Sequence, residues 1–192
     1  MSIINPYEHH RTQLSRILDR EEGRKMSFII RKANILDARD IAILQIRSWI
    51  AAYSGIVPYQ AIAAVNGRRL SLWQKILKND SDAFVGVCNH EIAGFIGMSE
   101  SRDDDAKPDT YEIAAFYLVP EYFGKGIAKP MMDYVLEHIK KLGYSSVTLW
   151  TLEENTRARK FYEKCGFLPE FKKEITIGKP LIVIRYRKNL ST

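Results

Sequence analysis

Two segments of this 192-residue chain combine residue types and spacing that suit chemistry. The first is Val119-Pro120-Glu121-Tyr122-Phe123-Gly124-Lys125-Gly126-Ile127-Ala128-Lys129, a glycine-containing loop between a strand-like run and a helical one. Glycines let the backbone approach a ligand closely. The unpaired amides at the start of a helix, with the positive end of its dipole, stabilise an anion. The chemistry on offer is therefore phosphate binding. A phosphate-loop NTPase would end the loop in Lys followed by Ser or Thr, and a dinucleotide fold would add a third glycine after two more residues; this loop has neither. Taken alone it reads first as a tight strand-to-helix connection. The second segment, Asn155-Thr156-Arg157-Ala158-Arg159-Lys160-Phe161-Tyr162-Glu163-Lys164-Cys165-Gly166-Phe167, changes that weighting. Asn155 suits a helix N-cap and Gly166 the left-handed residue beyond the helix end.

Together the two segments resemble the coenzyme-A motifs of the GNAT family of N-acetyltransferases, in which the first loop holds the pyrophosphate and the second helix approaches the acetyl thioester. Arg47-Ser48-Trp49, Tyr53-Ser54-Gly55-Ile56-Val57-Pro58 and Trp73 are similar to the early helices of many bacterial members, so the resemblance runs from about Phe28 to Lys188. It implies acetyl-CoA as cosubstrate and direct attack by an amine, with a backbone amide of a splayed strand facing the oxyanion. The family's Gln/Arg-x-x-Gly-x-Gly/Ala loop falls on Phe123-Gly124-Lys125-Gly126-Ile127-Ala128. By that match the backbone amides of Lys125, Gly126, Ile127, Ala128 and Lys129 are expected at the pyrophosphate. Phe123 departs from the usual Gln or Arg, which removes one side-chain contact. The resemblance also implies a bulged strand at Phe116-Tyr117-Leu118, splayed from Val147 to Thr151, with pantetheine pairing to the main chain between them.

Tyr162 matches the family's general acid. A phenol of reference pKa about 10 carries its proton at neutral pH and can pass it to a leaving thiolate. Glu112, which plain alternation puts on the same strand face as Ala114 and Phe116, can draw the amine's proton directly or through water; a solvated strand-end carboxylate is the equal alternative. Asn155 is expected to touch the cofactor as well as cap its helix. Arg157, Arg159, Lys160 and Lys164 either attract the cofactor's phosphates or form a solvated face. Asp103-Asp104-Asp105 reads as a solvated loop, with attraction of a cationic amine as its functional alternative. No histidine has metal spacing, and no metal is expected.

These residues need elements to hold them. Apolar positions Ile41, Leu44, Ile46, Trp49 and Ile50 predict a helix from Asp37, stopped by Gly55 and Pro58, and a second helical stretch runs from Tyr59 to Leu77 with a break near Asn66-Gly67. Ala83 to Cys88 and Ile92 to Met98 around Asn89-His90-Glu91 predict a hairpin. A strand from Tyr111 to Val119, a helix from Gly126 to Leu142, a strand from Ser146 to Thr151 and a helix from Asn155 to Cys165 imply one parallel strand pair. Pro130 falls in the first turn of its helix, where no amide is missed. That helix's stripe, Met131, Val135, Ile139 and Leu142, reads as core. A terminal hairpin turns at Gly178-Lys179-Pro180. The fold expected is α/β, a GNAT-like mixed, splayed central sheet with helices on both faces.

Composition sets the outer limits. Apolar residues at 46% and charged residues at 27% give a soluble, foldable balance in one domain, and no apolar run is long enough to span a bilayer. The domain is expected over 26–192, after an N-terminal extension, 1–25, in which Ser15-Arg16-Ile17-Leu18 suits part of a short helix. The net charge of +6 favours anionic partners, but no run of Lys and Arg interleaved with aromatics marks a nucleic-acid reader. Cys88 and Cys165 are far apart and read as reduced thiols, in keeping with a cytoplasmic protein and no membrane partner. The function expected is transfer of an acetyl group from acetyl-CoA to a primary amine of a small molecule. Protein N-terminal or lysine acetylation and a non-catalytic CoA-binding regulator are the alternatives, and the resemblance allows a homodimer.

Overall fold

The computed structural model describes residues 18–21, 24–79 and 81–190. A short antiparallel pair, β1 (Leu18–Glu21) and β2 (Arg24–Met26), precedes the main body. Of the short helix expected near Ser15, residues 15–17 lie outside the described residues, and Leu18 opens β1 instead.

The main body is a seven-stranded sheet. Its strands are β3 (Phe28–Lys32), β4 (Ala83–Cys88), β5 (Glu91–Glu100), β6 (Thr110–Leu118), β7 (Ser146–Leu152), β8 (Leu168–Thr176) and β9 (Pro180–Asn189). They lie in the order β3-β4-β5-β6-β7-β9-β8. Every neighbouring pair is antiparallel except β6 with β7, the one parallel pair that the strand-helix-strand pattern implied. The β4–β5 hairpin turns through Asn89 and His90, both at positive φ, the backbone state that a two-residue hairpin turn requires.

Helices cover both faces. On one lie α1 (Ala38–Tyr53), α2 (Tyr59–Asn66) and α3 (Arg69–Lys78), the last two separated at Gly67 as the sequence indicated. Ile41, Leu44, Trp73 and Leu77 pack there against Val85 and Phe95, while Tyr53, Val57 and Ile62 meet Leu152, Leu181 and Val183. On the other face lie α4 (Ala128–Lys141) and α5 (Thr156–Lys164). Met131, Val135 and Ile139 are completely buried, each worth about 1.5–3 kcal/mol of apolar transfer, so α4 is held by its stripe. Leu142 departs from that stripe: it follows the helix as its C-cap and is exposed. The sheet makes room for α4 at Gly86, where a Cβ would come within 2.6 Å of the Met131 sulfur.

Two features of β6 matter for the site. Its ladder with β7 runs only from Thr110–Ser146 to Ile113–Leu149, after which the strands part; the splay is thus present. The ladder with β5 skips a residue, since Gly97 faces Ala115 while Met98 faces Ile113. The bulge therefore sits at Ala114, just before the segment Phe116-Tyr117-Leu118 where the resemblance had put it. An extra residue reverses the alternation beyond it. Tyr111 and Ile113 share the α4 face with Phe116 and Leu118, whereas Ala115 and Tyr117 face α1 and α3.

Candidate active site

A cavity of about 360 Å³ opens where β6 and β7 part. One wall is β6 from Ile113 to Leu118 and another is Trp150 and Thr151 of β7; Phe123, Gly124, Gly126, Ala128 and Lys129 close one end, and Ser48, Ala52 and Tyr53 of α1 the other. Asn155, Arg157, Phe161 and Tyr162 complete it from α5 and its cap. The splay produces the cavity: from Ala114 to Leu118 one edge of β6 pairs with β5 and the other has no strand beside it. That free main chain needs a hydrogen-bonding partner, and an extended amide-bearing ligand supplies one.

At the loop end, Gly124 and Gly126 both have positive φ, 76° and 79°, so the chain turns into α4 through conformations that disfavour a side chain. Among the described residues the amides of Gly124, Gly126, Ile127, Ala128 and Lys129 have no backbone acceptor, leaving a cluster of donors at a helix N-terminus. Lys125 differs from expectation, because its amide donates to the Tyr122 carbonyl at 3.3 Å, and neither Lys125 nor Ile127 lines the cavity. The Ile127 side chain is fully buried in the core and anchors the turn. The charge missing at Phe123 returns from elsewhere, since the Arg157 guanidinium lies 3.7 Å from the Phe123 ring centroid. The Lys129 ammonium pairs with Asp133 one turn on.

At the centre is Tyr162, only 8% exposed and packed among Phe161, Phe167 and Tyr186. Burial, then its neighbours Tyr53 and Tyr117, pushes the phenol above its ordinary range and keeps it protonated. Asn155 caps α5, its side-chain oxygen accepting from the Ala158 amide at 3.2 Å, while its amide nitrogen donates to the Tyr53 hydroxyl at 3.2 Å. The cap thus ties the site's two halves together. Tyr117 accepts from the Trp49 indole at 2.9 Å.

Glu112 is elsewhere. The bulge puts it out of phase with Phe116, it does not line the cavity, and both its carboxylate oxygens are taken by Arg102. The Arg102 backbone amide also donates to it. The acidic loop is likewise engaged, as Arg185 binds Asp105 through two nitrogens at 2.5 and 2.6 Å and also pairs with Asp103. Asp103 accepts from the Trp150 indole at 3.1 Å. Neither Asp103 nor Asp105 lines the cavity.

The family description "Acetyltransferase (GNAT) family" matches residues 45–167, which include α1 from Gln45 onward, the glycine loop and the whole of α5. The chain belongs to the GNAT family. Acetyl-CoA is the cosubstrate of its members. This GNAT is 30% identical over 122 residues to an uncharacterized N-acetyltransferase of Methanocaldococcus jannaschii, covering 62% of the chain and 53% of that relative. The chain thus spans about half of that protein's length. It is 26% identical over 129 residues to an uncharacterized N-acetyltransferase of Bacillus subtilis, covering 66% of the chain and 72% of the relative. In fold it is similar to the PaiA N-acetyltransferase of Thermoplasma acidophilum, solved in complex with coenzyme A, with a TM-score of 0.69, 24% identity and 85% and 99% of the two chains covered. A putative acetyltransferase of Salmonella typhimurium, solved with acetyl-CoA, gives a TM-score of 0.65 at 16% identity, over 86% and 95%.

Within this GNAT, Phe116, Tyr117, Leu118, Phe123, Gly124, Gly126, Ala128, Lys129, Asn155 and Tyr162 converge on one cavity, as the resemblance implied. Sequence reading did not assign Ser48, Ala52 and Tyr53 to the site, yet they line it, as do Trp150 and Thr151 of the strand that the resemblance set beside the pantetheine. Ser48 and Ala52 stand one helical turn apart on α1, and Trp150 is the first β7 residue beyond the ladder, but neither signal means anything until the splay is known. Among the described residues no group of three or more His, Cys, Asp or Glu is placed to hold a metal, and no helix is long and apolar enough to cross a membrane. Cys88 and Cys165 are buried free thiols, and burial pushes Cys88 up to about 11.

Proposed function

We propose that the chain is an N-acetyltransferase that moves an acetyl group from acetyl-CoA to a primary amine of a small molecule. The observation that carries this reading is the convergence, on one splayed cavity, of a phosphate-sized donor cluster, an unpaired strand edge and a buried phenol. The residues fit the cosubstrate. Free amides at the start of α4 and the Arg157 guanidinium suit its pyrophosphate, the open edge of β6 suits the paired amides of pantetheine, and Tyr162 stands where the two walls meet. When bound, acetyl-CoA supplies an activated acetyl thioester.

The protein's own part is proton handling and exclusion of water. Tyr162 holds its proton through the accessible pH range, and the desolvation that strengthens its grip acts equally on a thiolate leaving in the same apolar pocket. The aromatic walls, Phe116, Phe161 and Trp150, keep bulk water from the thioester. Among the described residues no carboxylate or imidazole lines the cavity, and the amine gives up its proton to water before or during attack. The Asn155–Tyr53 bond sets the acceptor wall, α1, against the catalytic helix, α5. The domain that does this is 26–192.

The test is calorimetric titration with acetyl-CoA, together with thiol release over an amine panel for the wild type and Tyr162→Phe. The expected result is tight binding in both proteins and turnover reduced about 10²–10⁴-fold in the variant. Absence of acetyl-CoA binding would remove the reading.

A further inference from the structure

Arg69, at the start of α3, is 6% exposed and has no carboxylate partner among the described residues. Its Nε donates to the Asn66 side chain at 3.1 Å, its guanidinium lies 4.8 Å from the Trp49 ring centroid, and its Nη2 is buried with no acceptor. A buried cation without a counter-ion is costly, and burial pulls this guanidinium below its ordinary value without discharging it. Arg69 itself does not line the cavity; it sits behind it, over Trp49, whose indole donates to the Tyr117 hydroxyl at 2.9 Å and packs edge-on against Tyr53, and both tyrosines line the cavity. Among the described residues the cavity lining holds no Asp, Glu or His; its charged members are Arg157 and Lys129, the latter paired with Asp133. The nearby acidic groups, Glu112, Asp103 and Asp105, are held by Arg102 and Arg185.

The guanidinium charges of Arg69 and Arg157, which no carboxylate among the described residues pairs, repel an ammonium and favour an anion. We propose that the acceptor is an amine carrying its own carboxylate or equivalent anionic group, with Arg69 the specificity residue whose field that group answers. The amine reacts in its neutral form, and the anionic group is then the acceptor's only charge. This separates the chain from acetyltransferases of polyamines and lysine side chains, whose acceptors approach as cations. The inference rests on the acetyltransferase reading above.

The experiment measures kcat and KM with saturating acetyl-CoA for free L-amino acids, each beside its decarboxylated amine, and for spermidine. Wild type, Arg69→Met and Arg69→Lys are compared, with a thermal melt of each. The best amino acid is expected to exceed its decarboxylated partner about tenfold or more in kcat/KM. Arg69→Met should collapse that ratio, raising KM for the amino acid and lowering it for the decarboxylated amine, and Arg69→Lys should retain most of it. Better turnover of spermidine or of the decarboxylated amines would overturn this inference and leave the acetyltransferase standing. Equal loss on both series in a folded Arg69→Met would overturn it too. Should Arg69→Met fail to fold, the wild-type ratio and Arg69→Lys decide. Failure to bind acetyl-CoA would overturn the acetyltransferase reading and this inference with it.

Discussion

The cavity has two halves built on different principles. The cofactor half, formed by the end of β6, the glycine loop and the N-terminus of α5, works mostly through main-chain groups whose positions follow from short-range sequence: two glycines at positive φ, an N-cap and a helix start. The half proposed for the acceptor, lined by α1 and the end of β7 with Arg69 of α3 behind it, is built from side chains brought together across long stretches of chain, as in Trp49 with Tyr117 and Tyr53 with Asn155. Backbone sites tolerate side-chain change around them, so one loop can serve many acceptors. Side-chain sites do not, and specificity belongs in the second half.

The sharpest way to break this contrast is Gly126→Ala. The residue sits at φ 79°, where a Cβ costs about 1–2 kcal/mol, and relief of that strain would turn the amides of the loop. Acetyl-CoA affinity is expected to fall about tenfold or more by calorimetry, with KM for the amine unchanged. An equal loss on the acceptor side would mean that the halves are not separable.

A smaller effect is expected at Glu112, which sharpens the same boundary from outside the cavity. Its carboxylate is engaged by Arg102, so Glu112→Gln should lower kcat by less than about threefold while weakening the fold, since the buried carboxylate loses its ion pair with the exposed Arg102 guanidinium. The checks are steady-state kinetics and a thermal melt. A fall of about a hundredfold in kcat would instead restore a base at this position.

Glu112 also shows where legibility ended. The hairpins, the one parallel pair, the break at Gly67, the caps of α5 and the glycine loop were readable because each depends on local periodicity or on one residue's backbone preference. The bulge at Ala114 was not readable at its true position, because nothing local in Ile113-Ala114-Ala115 announces it; it is fixed by pairing with β5. Shifting it reversed which residues share a face and carried Glu112 out of the site. Arg157 over Phe123 is the converse, a cation that the loop motif lacked and the tertiary fold returned.

The smallest expected effect concerns the acidic loop that flanks the acceptor half. Arg185 pushes Asp105 down to about 2, from an ordinary carboxylate value near 3.9 in the unfolded chain. A depressed folded-state pKa contributes stability that is fully present above the unfolded value and lost as pH falls toward about 2. The Asp105 side chain is well exposed, so solvent screening keeps the contribution modest. Melting temperature should therefore fall between pH 4 and 2 more steeply in the wild type than in Asp105→Asn, with the two curves offset but parallel above pH 5. Acetyl-CoA binding at neutral pH should not distinguish them. If it does, the loop reaches the cofactor half after all, and the division between backbone-built and side-chain-built sites has to be redrawn at Trp150, which joins Asp103 to the cavity wall.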